Sequence, residues 1–182
     1  LDPKAPLLSR FLQKSGYATA HYGKWHLAND MIPDAPFPSA YGYDDYGAFN
    51  CSGPQMYVHD DVKSAIPFIE KSYAQEKPFF INLWMHEPHT PFHVDPKLQK
   101  LFPKLDEKHN IYAATLFHAD QRIGQLLDAL DRLELTDNTL VIFSSDNGPA
   151  RASSPAKLSL SYDSATGLGY GIAAAKGITG GR

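Results

Sequence analysis

The chain has 182 residues, 43% of them apolar and 20% charged, with a formal net charge of −3, the profile of a globular domain or of part of one. Without a long basic run it has little electrostatic support for non-specific nucleic-acid binding, and no apolar stretch approaches the length of a membrane-spanning helix. The single cysteine, Cys51, excludes an internal disulfide and any multi-cysteine zinc site.

The elements follow in chain order. "APLLSRFLQKSG" sets Leu7, Leu8, Phe11 and Leu12 on one helical face, with Gly16 as the stop. "YATAHY" predicts a short buried strand. Residues 28–58, rich in Pro, Gly, Tyr and Asp, predict a long ordered loop, the kind that often carries function. "DDVKSAIPFIEKSYAQ" predicts a helix with Asp60 as a candidate cap and a kink or break at Pro67. "KPFFINLWMH" is too short for a helix and predicts a second buried strand. In "HNIYAATLFHADQRIGQLLDALDRLEL" the positions Ile111, Thr115, Ala119, Ile123, Leu126, Leu130 and Leu133 keep a helical period. "TDNT" then turns the chain into "LVIFSS", a further buried strand. From Asp146 onward Gly, Ser, Ala and Pro follow without period and predict loop. Short apolar strands alternating with helices predict an α/β fold with a mainly parallel sheet flanked by helices.

Ligands of open parallel sheets bind beyond the carboxyl ends of the strands. Gly23, Lys24 and His26 follow the first strand, His86, Glu87 and His89 the second, and Asp146 and Asn147 the third. Taken singly, the Lys24-His26 set reads as a solvated loop, the His86-Glu87-His89 set as either a proline-stiffened turn or a site, and Asp146-Asn147 as a turn, since Asp, Asn and Gly favour turns in any case. Taken together at strand ends, a lysine, several histidines and an Asp-Asn pair suit an anionic substrate and a hard metal ion at one site.

These residues also resemble a known family. "GYATAHYGKWHL" is similar to the second sulfatase signature, "KPFFINLWMHEPHTPF" resembles the family's P-F-F…H-x-P-H-x-P segment, and the long helix, turn and strand ending in "SSDNG" resemble the family's S-D-N-G region. The likeness runs from about Ala5 to Gly148. It implies the alkaline-phosphatase-like α/β fold and hydrolysis of sulfate esters by a formylglycine nucleophile made from a Cys or Ser. It further implies that Lys24 holds the nucleophile and a sulfate oxygen. His26 would be the base that regenerates the aldehyde, and His89 would contact the sulfate and assist the leaving oxygen. Asp146 and Asn147 would be oxygen ligands of one calcium ion. The substrate would be a sulfated small molecule or carbohydrate, and the location periplasmic or secreted.

Some of the pattern is missing. The C/S-x-P-x-R nucleophile motif and the paired aspartates that open the metal site belong upstream of Lys24. "CSGPQ" at Cys51 has its proline one place late, has no arginine and lies downstream, so Cys51 reads as a packed thiol. Asp44-Asp45 reads as loop. Lys176 is in doubtful register for the family's second lysine, which could equally lie beyond Arg182. His21 and Trp25 read as packing, and His59, His109 and His118 as surface or packing residues. His86 could line a pocket, and His93 could contact substrate. Residues 1–182 therefore read as an internal part of a sulfatase catalytic domain, inactive by itself. The alternatives are a phosphonate or phosphodiester hydrolase of the same superfamily, or a catalytically dead carbohydrate-binding relative.

Overall fold

The computed structural model describes residues 2–25, 27, 36–49, 61–88 and 95–145. They fall into two compact units, one running to His86 and including Gln125–Asp137, the other Glu87–Gly124 and the residues from Asn138.

The first unit holds α1 (Leu8–Lys14), β1 (Ala18–Lys24), a short 3-10 turn (Pro38–Tyr41), β2 (Asp45–Phe49), α2 (Asp61–Ala74) and β3 (Phe79–Trp84). The three strands form one parallel sheet in the order β2-β1-β3, as the helix–strand alternation predicts. Successive side chains of a strand point to opposite faces, and β1 buries both. Ala18, Ala20 and Tyr22 pack with Ala65 and Phe68 of α2, and with Phe79, Ile81, Leu83 and Leu126 around them. Thr19 and His21, on the other face, are also buried. That side carries an aromatic cluster of Trp25, Tyr41 and Tyr43, with Leu7, Ala48 and Phe80 against it.

Burying Thr19 requires partners for its polar groups. Asp44 supplies them: one carboxylate oxygen accepts from both the Thr19 N–H and its hydroxyl, each at 3.0 Å, while the Asp44 N–H donates to the Thr19 carbonyl at 2.8 Å. This bracket fixes the entry of β2 beside β1. Partial burial pushes the Asp44 carboxyl up, but the hydrogen bonds from Gln13 and Thr19, with the charge of Lys77, outweigh it and leave the group below the usual carboxylate range.

The second unit holds α3 (Pro96–Gln99) and the first part of α4 (Glu107–Arg132), whose last residues belong to the first unit. Asp95 caps α3 by accepting the Lys97 N–H at 2.8 Å. Asp106 caps α4 by accepting the Lys108 and His109 N–H groups, each at 3.1 Å. Ile111 and Ala114 bury against Leu98, Phe102 and Tyr112. Asn110 ties the segment between the helices to α4 by donating to the Gln99 and Phe102 carbonyls at 2.8 Å. Among the described residues no helix is long and apolar enough to cross a membrane.

Five expectations need correction. Leu8 and Phe11 of α1 are exposed, and the buried residue of that helix is Ser9, whose hydroxyl donates to the Tyr41 carbonyl at 2.6 Å. The stretch "DYGAF", Asp45 included, is strand β2 rather than loop, because parallel pairing with β1 from Ala20↔Asp45 to Lys24↔Phe49 overrides its weak strand propensity. Pro67 does not break the helix: α2 runs from Asp61 to Ala74 through it. β3 is only half-buried, since β1 is its one strand neighbour among the described residues. "LVIFSS" is not a strand. Leu140, Ile142 and Phe143 are more than 80% exposed, and no described strand pairs with them; an apolar run without a ladder partner cannot satisfy its backbone as a strand.

Gly23 is where β1 needs a residue without a side chain. Its φ is +101°, and a Cβ there would lie 2.0 Å from the Trp84 carbonyl oxygen and 3.1 Å from the Asp61 carboxylate. Gly23→Ala should therefore destabilise the full-length protein by about 3 kcal/mol or more, read as a fall in Tm. An unchanged Tm would contradict this packing. The Asp44 bracket should weaken as pH falls through the depressed folded-state pKa of its carboxyl, being fully present above the ordinary value of about 4. Asp44→Asn should flatten that acid limb of the stability curve, and an identical limb in the variant would count against it.

Candidate active site

Lys24 is the last residue of β1, at the carboxyl end of the central strand, where the sequence expects an anion-binding group. Gly23 before it lets the strand pass close to the Trp84 backbone, and Trp25 after it is buried against Tyr41 and Tyr43 with ring centroids 5.3 and 6.2 Å apart. The Lys24 main chain thus has a fixed residue on either side. Its carbonyl is also held, lying 3.1 Å from Nε2 of His21.

His21 packs, as expected, and is completely buried. Its ring meets Trp25, Tyr43 and Trp84 edge-on, at centroid distances of 4.8, 5.4 and 5.1 Å. Its Nδ1 lies 3.4 Å from the side-chain nitrogen of Asn82, its cross-strand partner on β3. The same Asn82 nitrogen donates to the Tyr43 hydroxyl at 3.2 Å. A polar chain from β3 through His21 to the end of β1 is the feature that the reading of His21 as packing alone misses. The only signal for it in the sequence is a polar residue in each of two apolar strands. On the opposite face, burial together with the negative charge of Asp45 pushes the Tyr22 phenol well above its usual range, and its hydroxyl donates to Asp45 at 3.2 Å.

His26, His89, Asp146 and Asn147 lie outside the described residues, as do Cys51, His59, His93 and Lys176. Among the described residues no group of three or more His, Cys, Asp or Glu side chains could hold a metal ion.

The second unit holds a pair of its own. Glu87 lies 3.3 Å from Nδ1 of His118 on α4, so His118 is more than the surface or packing residue its helical setting suggests. The hydrogen bond with Glu87 pushes the His118 pKa up against the opposing effect of burial, and the charges of Glu87 and Asp95 add to the rise. His109 forms a more local pair with Asp106 at 2.6 Å. Because the His118 pKa is raised in the folded state, the pair's stabilisation is fully present below the unfolded value of about 6.5 and is lost as pH rises through the folded value. Glu87→Gln should lower the His118 pKa, measured by NMR titration of its ring proton in the full-length protein; an unmoved pKa would contradict the pairing.

The Sulfatase family model matches residues 1–171. The chain is 28% identical over 177 residues to an ulvan-active sulfatase of Formosa agariphila, covering 78% of this chain and 35% of that protein. It is 27% identical over 184 residues to the N-acetylgalactosamine-6-sulfatase of Mus musculus, covering 82% and 34%. The crystal structure of Ps i-CgsB, also solved in complex with k-i-k-neocarrahexaose, superposes with a TM-score of 0.71 at 24% identity, over 82% of this chain and 41% of that one. The chain spans about a third of the length of the two sequence relatives. The parallel sheet flanked by helices is the fold shared with the solved structure, and the chain belongs to the sulfatase family.

Proposed function

We propose that the full-length protein hydrolyses sulfate esters of carbohydrates, with Lys24, His26 and His89 as catalytic residues. The observation that carries this reading is the placement of Lys24 at the carboxyl end of the buried central strand, within a chain matched by the sulfatase family over residues 1–171. A fixed cation at that position stabilises the charge that grows on the sulfate oxygens as the ester bond breaks. His26 would accept the proton given up as the aldehyde is regenerated, and His89 would contact the sulfate and donate a proton to the departing alkoxide oxygen, roles suited to an imidazole. Asp146 and Asn147 would hold one calcium ion; a carboxylate and an amide carbonyl are hard oxygen donors of the kind that ion takes. When bound, calcium supplies further positive charge to the sulfate. A formylglycine, generated from a Cys or Ser outside these 182 residues, supplies the nucleophile.

A sulfated carbohydrate as the substrate class is supported by relatives that include an ulvan-active sulfatase and an N-acetylgalactosamine-6-sulfatase, and by a structural neighbour solved with a neocarrahexaose. A periplasmic or secreted location belongs to the same reading.

The test compares sulfate, phosphonate and phosphodiester substrates of the same leaving group with full-length protein. The sulfate ester should turn over fastest, and Lys24→Ala should lower kcat about 10²- to 10³-fold with the fold intact. Faster phosphonate or phosphodiester cleavage, or a Lys24→Ala variant with full activity, would overturn the proposal.

A further inference from the structure

The buried imidazole of His21 has no role in the chemistry proposed above, yet the fold surrounds it with specific partners. Three aromatic rings enclose it edge-on within 5.4 Å, and it is 0% exposed. Aromatic packing alone would be served by a phenylalanine; a buried imidazole is retained at the expense of satisfying two ring nitrogens. Each has a polar partner, the Lys24 carbonyl at one nitrogen and the Asn82 amide at the other. The Lys24 carbonyl oxygen only accepts, so Nε2 must carry the proton and donate to it. The Asn82 side-chain nitrogen only donates, so Nδ1 must accept from it. The Asn82 amide has two N–H groups, and the Tyr43 hydroxyl accepts the other. With the amide nitrogen toward Nδ1, the network fits a neutral His21 with its proton on Nε2.

We propose that His21 is a positioning residue for Lys24, with Asn82 selecting the imidazole tautomer that holds the Lys24 carbonyl. The inference rests on the reading of Lys24 as a catalytic residue. Lys24 ends β1 directly after a residue at φ +101°, so its direction is not set by regular strand geometry alone. The hydrogen bond from His21, three residues earlier, supplies the missing constraint. The relay spans two strands: His21 and Asn82 face each other in the β1–β3 ladder, so the sheet register itself brings the tautomer-selecting amide to the ring. A side chain displaced by about 1 Å from a reacting group loses on the order of 10²-fold in rate, which sets the size of effect to expect when the carbonyl is released.

The experiment uses the full-length protein, with His21→Phe, Asn82→Leu and the double variant, assayed on a sulfate ester well below their Tm. Phenylalanine keeps the aromatic contacts and removes both hydrogen bonds. His21→Phe should lower kcat about 10- to 100-fold with KM little changed. Asn82→Leu should lower it in the same direction, and the double variant should lose no more than His21→Phe alone, because the two residues act through one path. Full kcat in His21→Phe, or independent multiplying losses in the double variant, would overturn the proposal. A second readout does not depend on turnover or on the single variants folding. In wild-type protein labelled with 15N-histidine, the His21 ring should show a protonated Nε2 and an unprotonated Nδ1. The opposite tautomer, or an imidazolium at neutral pH, would overturn the relay even in an active enzyme. Conversely, a wild-type protein that cleaves no sulfate ester but shows the expected tautomer would sink the catalytic reading of Lys24 and leave the relay standing.

Discussion

The structure depends on the burial of β1 from both sides. A central parallel strand can bury alanines and a tyrosine against a helix without difficulty, but its other face here carries Thr19 and His21, both fully buried. Each polar group brought inside must find a partner or cost on the order of 1–3 kcal/mol. The partners recruited are the ones that shape the unit: Asp44 from the segment that enters β2, and Asn82 from β3. The polar demands of one strand thereby fix the position of its two neighbours, and with them the point where the strand ends at Lys24.

That arrangement links the local oddities of the segment. Gly23 is needed because the Trp84 carbonyl lies where a side chain would be. Trp25 is buried because the aromatic cluster on the His21 face continues past the strand end. Between them Lys24 stays half-exposed, a cation at the rim of an apolar structure. In water a lone lysine binds an anion weakly; under the proposed function, a lysine whose main chain is held at a strand end approaches the fixed charge that accelerates a reaction.

Much of this was legible in the sequence, and the misses have physical causes. The short apolar strands and the helical period of residues 111–133 led to the right fold class, because parallel strands covered on both faces lose the usual alternation. The signature around Lys24 led to the family. The motif residues His26, His89, Asp146 and Asn147 were readable as motifs, and their geometry rests on residues outside those described. β2 was unreadable because "DYGAF" is a poor strand sequence held by pairing rather than by propensity. "LVIFSS" misled for the opposite reason, having strand composition without a described neighbour to pair with. The exposure of Leu8 and Phe11 shows that a helical stripe tells which residues share a face, not which face turns inward. The His118–Glu87 pair joins positions 31 residues apart, and nothing in local pattern announces such a contact.

The central claim is that the end of β1 presents Lys24 to the sulfate of the substrate. It is tested most directly by a crystal structure of the full-length protein soaked with a sulfated oligosaccharide or trapped with its sulfate product. The account predicts a sulfate oxygen within hydrogen-bond distance of the Lys24 Nζ, with the Lys24 carbonyl still on His21. A sulfate group bound elsewhere, with Lys24 turned away into solvent, would contradict it.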